Sequence, residues 1–141
     1  RNIERAVESQ PEANIIIHLG DGADDIVDLE FVYRDKQFYQ VAGNCDWGSS
    51  LPLEGELKVA DKTIFFVHGH EYKVKTNLQQ IKMEAKKRNA DIVLFGHTHL
   101  PITEYDDELY LLNPGSLQNA DGTYGIIYIT DAGVSVQIIK V

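Results

Sequence analysis

Four apolar runs of strand length each lead straight into polar residues able to bind a metal, and this recurrence constrains the chain more than any other feature. "IIIHLGD" ends at Asp21, "YQVAGNCD" at Asn44, Cys45 and Asp46, "IFFVHGH" at His68 and His70, and "VLFGHTH" at His97 and His99. Runs that are apolar at consecutive positions suit strands buried on both faces of a largely parallel sheet. In such sheets, sites assemble at the carboxyl ends of the strands. Four ends of this kind would bring carboxylate, amide and imidazole groups around one point.

Helical patterns separate the runs. Residues 1–10 place Ile3, Ala6 and Val7 on one helical face, and Pro11 ends that helix. Asn14–Leu19 is the first strand, and a helix follows over Asp24–Arg34, with acidic residues in the first turn where the helix dipole favours them. "FYQVA" is a second strand, ending at Gly43. "ELKVADKTIFFV" reads as a hairpin turning near Asp61, its second arm buried. Thr76 and Gln79 have the spacing of a capping box for a helix reaching about Arg88, and Asp91–Phe95 is the next strand. Beyond it, "ITEYDDELYLLN" and "GIIYITDAGVSVQIIKV" read as hairpins with turns at Asp106–Glu108 and Asp131–Gly133. Alternating strands and helices followed by antiparallel strands predict an α/β fold, a two-sheet sandwich with mixed sheets and a metal site at the carboxyl ends of the strands. With no repeat or linker, the 141 residues suit a single domain over 1–141.

Charge narrows the partners. The chain carries 22 acidic against 13 basic residues, a net charge of -9. That opposes stable binding to nucleic acid or to an anionic membrane, both of which need basic surface. A small anionic substrate is compatible if bound cations supply the positive field. No apolar stretch approaches the ~20 residues of a membrane span. Cys45 is the single cysteine, which rules out an intrachain disulfide and suits a reducing, cytoplasmic setting.

Carboxylate oxygen, amide oxygen and imidazole nitrogen together suit Mn²⁺, Fe²⁺ or Zn²⁺. Two such ions roughly 3.5–4 Å apart can clamp the attacking and leaving oxygens of a phosphoryl group, with one Asp bridging both. Each motif also has an ordinary reading. An Asp after a strand is usually a turn residue or cap, and "NPGS" (Asn113–Ser116) is ordinary turn chemistry. His18 reads as packed core, Asp24, Asp25 and Asp28 as a solvated helix face, and Cys45 as an inert buried thiol. The ordinary reading must hold at four strand ends at once, which makes the combination much harder to dismiss.

In this order, "GD", "GNCD", "HGH", "GHTH" and "NPGS" resemble the calcineurin-like metallophosphoesterase family, and more narrowly its small YfcE-type phosphodiesterases, which carry Cys where larger relatives carry His. The resemblance covers essentially the whole chain. It implies a metal-dependent phosphodiesterase with two divalent transition metals, Mn²⁺ first and Zn²⁺, Fe²⁺ or Ni²⁺ as alternatives, and an activated hydroxide that attacks phosphorus in line. By matching positions, Asp21 is the bridging carboxylate; Asn44, His68 and His97 complete one metal's shell, and His99 binds the other. Asn44, Cys45 and His70 are the candidates for catalytic work. Cys45 stands where relatives have a histidine that protonates the leaving group, and a thiol of pKa near ~8.5 is a poorer acid near neutrality. Asp46 and His70 are candidates to face the phosphate or to support the ligands. Gly96 is expected to let the chain turn tightly beneath the site, so that one loop serves both ions.

Active members of the family begin with a buried strand ending in "DxH", whose Asp and His bind the same metal as His99. This chain opens on the helix that should follow, so it is read as an N-terminally shortened version of a longer protein, with weak catalysis alone and unpaired strand edges. The resemblance also suggests a homo-oligomer. Two other functions share the motifs: a non-catalytic protein-binding scaffold, like the retromer subunit of this fold, and a phosphomonoesterase or nucleotidase. Asn44 favours the enzyme, because it keeps an amide ligand that a scaffold does not need. Brevity leaves an open site suited to a small phosphodiester substrate.

Overall fold

Alternation along one strand explains the centre of the molecule. β4 (Lys62–Val67) sends Ile64 and Phe66 to one face and Phe65 and Val67 to the other, and all four are buried. This is a computed structural model, and it describes residues 2–21, 23–46, 50–118 and 121–141, with the side chains of residues 23–25 outside the description. β4 lies in a five-stranded mixed sheet. It is flanked by β3 (Glu54–Val59) and β5 (Ile92–Leu94), and β7 (Leu109–Asn113) and β6 (Ile102–Asp106) continue the order β3-β4-β5-β7-β6. β4, β5 and β7 are parallel, while β3 and β6 close the edges antiparallel. Having three parallel neighbours points the carboxyl ends of β4, β5 and β7 the same way.

α3 (Gln79–Lys87) covers one face, its Ile81 and Ala85 packing on Phe65, Val67, Val93 and Phe95. The other face, with Ile64, Phe66, Leu94 and Leu112, meets a second strand layer. That layer holds the antiparallel hairpin β8 (Thr123–Thr130) and β9 (Gly133–Lys140), and the parallel pair β1 (Ile15–His18) and β2 (Gln37–Gln40). α1 (Asn2–Glu8) and α2 (Ala23–Val32) lie outside it, where Val7, Ile26 and Leu29 pack against Ile16 and Phe38. The α/β sandwich is therefore the observed architecture, with one mixed sheet of five strands; among the described residues the second layer is not one mixed sheet but a parallel pair and an antiparallel hairpin. The hairpin turns fall as expected: Asp107 and Glu108 both adopt positive φ, the geometry of a tight two-residue turn, and Thr130 pairs with Gly133 across the last one.

Three local expectations need correction. α3 has Leu78 as its N-cap and no side-chain cap of capping-box type; instead the Gln79 N–H donates to the Asn77 side-chain oxygen at 3.0 Å. The Thr76 backbone is held in the preceding turn by the Lys73 carbonyl, which leaves Thr76 two residues short of the cap position. β1 is half-buried at all four positions rather than buried on both faces. Among the described residues its strand partner is β2 alone, and its other edge borders a cavity of about 460 Å³. Ile15 and Ile17 of β1, Ile126 of β8, Val7 of α1 and Leu94 and Leu112 of the five-stranded sheet line that cavity. His18 is likewise half-buried on its wall, with its Nδ1 accepting the Gly20 N–H at 3.4 Å. The side chains of Asp24 and Asp25, expected on a solvated face, lie outside the described residues, while Asp28 is exposed.

Candidate metal centre

The candidate ligands hang on loops that leave the strand ends and are tied to each other by backbone hydrogen bonds. The Gly96 N–H donates to the His68 carbonyl at 2.8 Å, joining the loops after β4 and β5. One Asp46 carboxylate oxygen accepts the N–H groups of Asp21 and Gly43, each at 2.8 Å, and so clamps the loops after β1 and β2. The Cys45 N–H donates to Asp21 Oδ1 at 2.9 Å. These loops approach so closely that a Cβ on Gly43 would run into the Asp21 carboxylate, which is why glycine is required there.

His68 is the hub. It is 2% exposed, and its Nδ1–H donates to the Leu19 carbonyl at 2.7 Å. That bond fixes the tautomer and leaves Nε2 as a bare lone pair. Nε2 stands 2.9 Å from Asn44 Oδ1, 3.1 Å from His97 Nδ1 and 3.6 Å from Asp21 Oδ2. Burial, the largest influence, holds the His68 pKa below its ordinary value, against the opposing pull of the Leu19 bond and the Asp21 charge. His97 is held low too, first by burial, then by His68, Lys75 and His70. One proton on His97 Nδ1 can serve His68 Nε2, but none remains for Asn44 Oδ1 or Asp21 Oδ2 on that side. Nitrogen and oxygen lone pairs that converge without protons fit a divalent cation, and this donor set is the borderline one that first-row transition ions prefer.

The structure brings Asp21, Asn44, His68 and His97 together. His70 flanks them, its ring 5.3 Å from that of His68 and 6.1 Å from that of His97, and its Nδ1 is buried with no hydrogen-bond partner among the described residues. His99 is not part of the group: it is exposed and makes no hydrogen bond, ion pair or ring contact with a described residue. Among the described residues no three His, Cys, Asp or Glu side chains close into a metal cage; the Asn44 amide supplies one of the converging donors, and the His99 side stays open. Cys45 carries an exposed thiol, not the inert buried one of the ordinary reading.

Two expectations about backbone change. Gly96 does not adopt positive φ, and a Cβ there would find ordinary contacts at 3.5 Å or beyond. The left-handed residues are the candidate ligands themselves: Asp21 (φ 63°), His97 (φ 68°) and His99 (φ 62°). Each costs on the order of 1 kcal/mol, strain of the kind that concentrates at functional sites. The other change is Asn113. Fully buried at the end of β7, it donates from Nδ2 to the Gly96 carbonyl at 3.1 Å and to Thr98 Oγ1 at 2.9 Å, and its Oδ1 accepts the Gly115 N–H at 3.0 Å. It braces the loop carrying His97 and His99. The sequence signal was an Asn closing an apolar strand, indistinguishable locally from a turn residue.

The sequence profile of the calcineurin-like phosphoesterase superfamily domain matches residues 1–132. The chain belongs to this family. It is 30% identical over 114 residues to a probable metallophosphoesterase, YsnB, of Bacillus subtilis, covering 80% of this chain and 64% of that protein. It is 28% identical over 130 residues to the phosphodiesterase MJ0936 of Methanocaldococcus jannaschii, covering 81% of this chain and 75% of that one. The chain thus spans a little under two thirds of the length of the Bacillus protein. In fold it matches a Streptococcus pneumoniae protein described as a predicted phosphoesterase, at 22% identity with a TM-score of 0.81, over 98% of this chain and 80% of the other. It also matches wild-type Vps29 of Entamoeba histolytica complexed with Zn²⁺, at 17% identity with a TM-score of 0.65, over 99% and 89% of the two chains. At such identities the likeness speaks for the fold alone.

Proposed function

We propose that this chain is the main part of a metal-dependent phosphodiesterase that hydrolyses small phosphodiesters at a dinuclear centre. One observation carries the reading: the proton-poor convergence of Asp21, Asn44 and His97 on His68 Nε2. Asn44, His68 and His97 would hold one cation, Asp21 would serve both, and His99 would belong to the second, with manganese the metal to try first. Bound cations supply positive charge at the phosphoryl oxygens and lower the pKa of water, giving hydroxide near neutrality. The chain's own residues set the geometry. Leu19 and Asp46 orient His68 and Asp21, Asn113 fixes the loop of His97, and His70 flanks His68 and His97 with a buried ring nitrogen that has no hydrogen-bond partner among the described residues. Cys45, exposed beside Asp21, is the candidate to stand near the leaving group.

A further strand would supply the second metal's remaining ligands. β1 and β8 each have one free edge among the described residues, and both border the apolar cavity. A segment preceding α1 and running parallel to β1 would enter this cavity and turn into α1, forming the right-handed strand–helix–strand unit that parallel sheets use. Its carboxyl end would then reach the open side near His99.

The test is metal analysis and hydrolysis of a generic aryl phosphodiester with added Mn²⁺, on this chain and on one carrying upstream residues. The longer chain is expected to bind metal and turn over. Failure to bind any transition metal, with no cleavage across several ions, would sink the reading. His97→Ala should abolish metal-dependent turnover while leaving the fold intact. A protein-binding scaffold is the rival, supported by the fold likeness to Vps29; retained metal with no turnover in the longer chain would favour it.

A further inference from the structure

On that reading His97 and His99 serve different cations, yet one short loop carries both. The residue between them closes a turn around each. The Thr98 N–H donates to the Gly96 carbonyl at 2.8 Å, and His97, enclosed by that bond, has φ 68°. A bond between residues two apart, with positive φ at the middle one, is the rare and strained form of γ-turn. The Thr98 hydroxyl repeats the arrangement one residue on: its Oγ1 accepts the Leu100 N–H at 3.2 Å, and the enclosed His99 has φ 62°. Each candidate ligand is therefore the tip of a closed three-residue turn. One turn is closed by the Thr98 backbone, the other by its side chain.

Asn113 ties both turns to the core. Its Nδ2 donates to the Gly96 carbonyl at 3.1 Å and to Thr98 Oγ1 at 2.9 Å, one acceptor from each turn. Asn113 is fully buried at the end of β7, where an amide N–H without a partner would be costly. Thr98 Oγ1 thus accepts two N–H groups, from Asn113 and from Leu100, which occupies both of its lone pairs. The two histidines depend on this support unequally. His97 has a second hold, its Nδ1 standing 3.1 Å from His68 Nε2. His99 is exposed, and its side chain has no such partner among the described residues. Its left-handed backbone, unfavourable for any residue with a Cβ, is closed by the Thr98 hydroxyl.

We propose that Thr98 is the positioning residue of the dinuclear centre, its hydroxyl oxygen, held by Asn113, fixing His99 for the second cation. It touches neither metal nor substrate and acts through the turn that it closes. Because the His97 turn is closed by the backbone instead, loss of the hydroxyl falls on one cation and spares the other.

The experiment compares Thr98→Val, which keeps the shape and the backbone N–H but loses the hydroxyl, with Thr98→Ser, which keeps the hydroxyl. In calorimetric titration of the longer chain with Mn²⁺, Thr98→Val should weaken one binding step by about 10–100-fold and leave the other within about twofold. The weakened step should be the one that His99→Ala removes, and Thr98→Ser should restore most of the affinity. A merely structural role would weaken both steps together and lower the unfolding midpoint of the metal-free protein. That pattern, or equal binding by wild type and Thr98→Val, overturns the assignment. A second readout needs no metal: hydrogen exchange at the Leu100 N–H should quicken about tenfold in Thr98→Val and stay slow in Thr98→Ser. Exchange that ignores the hydroxyl also overturns it. If the longer wild-type chain binds no metal while Leu100 exchange still follows the hydroxyl, the phosphodiesterase reading has failed and Thr98 shapes the loop without positioning a ligand.

Discussion

The two halves of the candidate centre are built differently. His68 and His97 follow β4 and β5, interior strands of a five-stranded sheet whose Phe65, Ile92, Val93 and Leu111 are fully buried. Asp21 and Asn44 hang from β1 and β2, a two-stranded pair that is half-buried along β1, and Asn44 itself is exposed. One half has its positions fixed by core packing. The other is fixed by three hydrogen bonds, two to the Asp46 carboxylate and one to Asp21. The pairing of β1 to β2 alone among described residues, beside an apolar cavity, makes that half the softer one. The histidine half can therefore hold its shape with or without metal, and the carboxylate half depends on the loops being clamped.

The largest test of this contrast is Phe65→Ala, expected to cost about 3–5 kcal/mol, against about 1 kcal/mol for Ile16→Ala in half-buried β1. Chemical denaturation measures both, and equal losses would erase the distinction. Gly43→Ala attacks the soft half directly. It should push the Asp21 carboxylate out of place and weaken metal binding by about 10–100-fold, read by competition with a chelator, while the unfolding midpoint moves little.

The histidine half should respond to pH. His68 and His97 both have pKa values lowered on folding from 6.5, so the unfolded chain binds protons that the folded one refuses. The stability from their neutral forms is complete above about 6.5 and is lost as pH falls toward the folded-state values. The metal-free protein should melt lower at pH 5 than at pH 7, and His68→Gln should reduce that difference. The smallest effect belongs far from both halves. Lys82, paired with Glu104 and Asp106 on the surface, should cost under about 1 kcal/mol on replacement by Ala, because solvent screens exposed pairs.

Much of the architecture was legible. The β-branched runs became β1, β4 and β5, and the turns at Asp61, Asp107 and Asp131 followed from local chemistry. Local pattern failed where two signals competed for one short stretch. Thr76 and Gln79 had capping spacing, yet the turn anchored by Val74 consumed Thr76 and left Asn77 to meet the helix. "IIIHLG" looked doubly buried because its residues are apolar, but burial depends on what lies beside the strand, and β1 has a cavity there.

The sequence by itself determined which strands end in metal-capable groups, because periodicity and residue chemistry are local properties. Only the tertiary structure decided what those groups do together. His68 meets the Leu19 carbonyl across 49 positions and Asn44 across 24, and no spacing rule spans such distances. It also decided that His97, not Gly96, takes the left-handed turn against the loop after β4, and that buried Asn113 holds the loop of His97. Each of these is a contact between loops from different strands, and their separation in space is fixed by how the sheets pack.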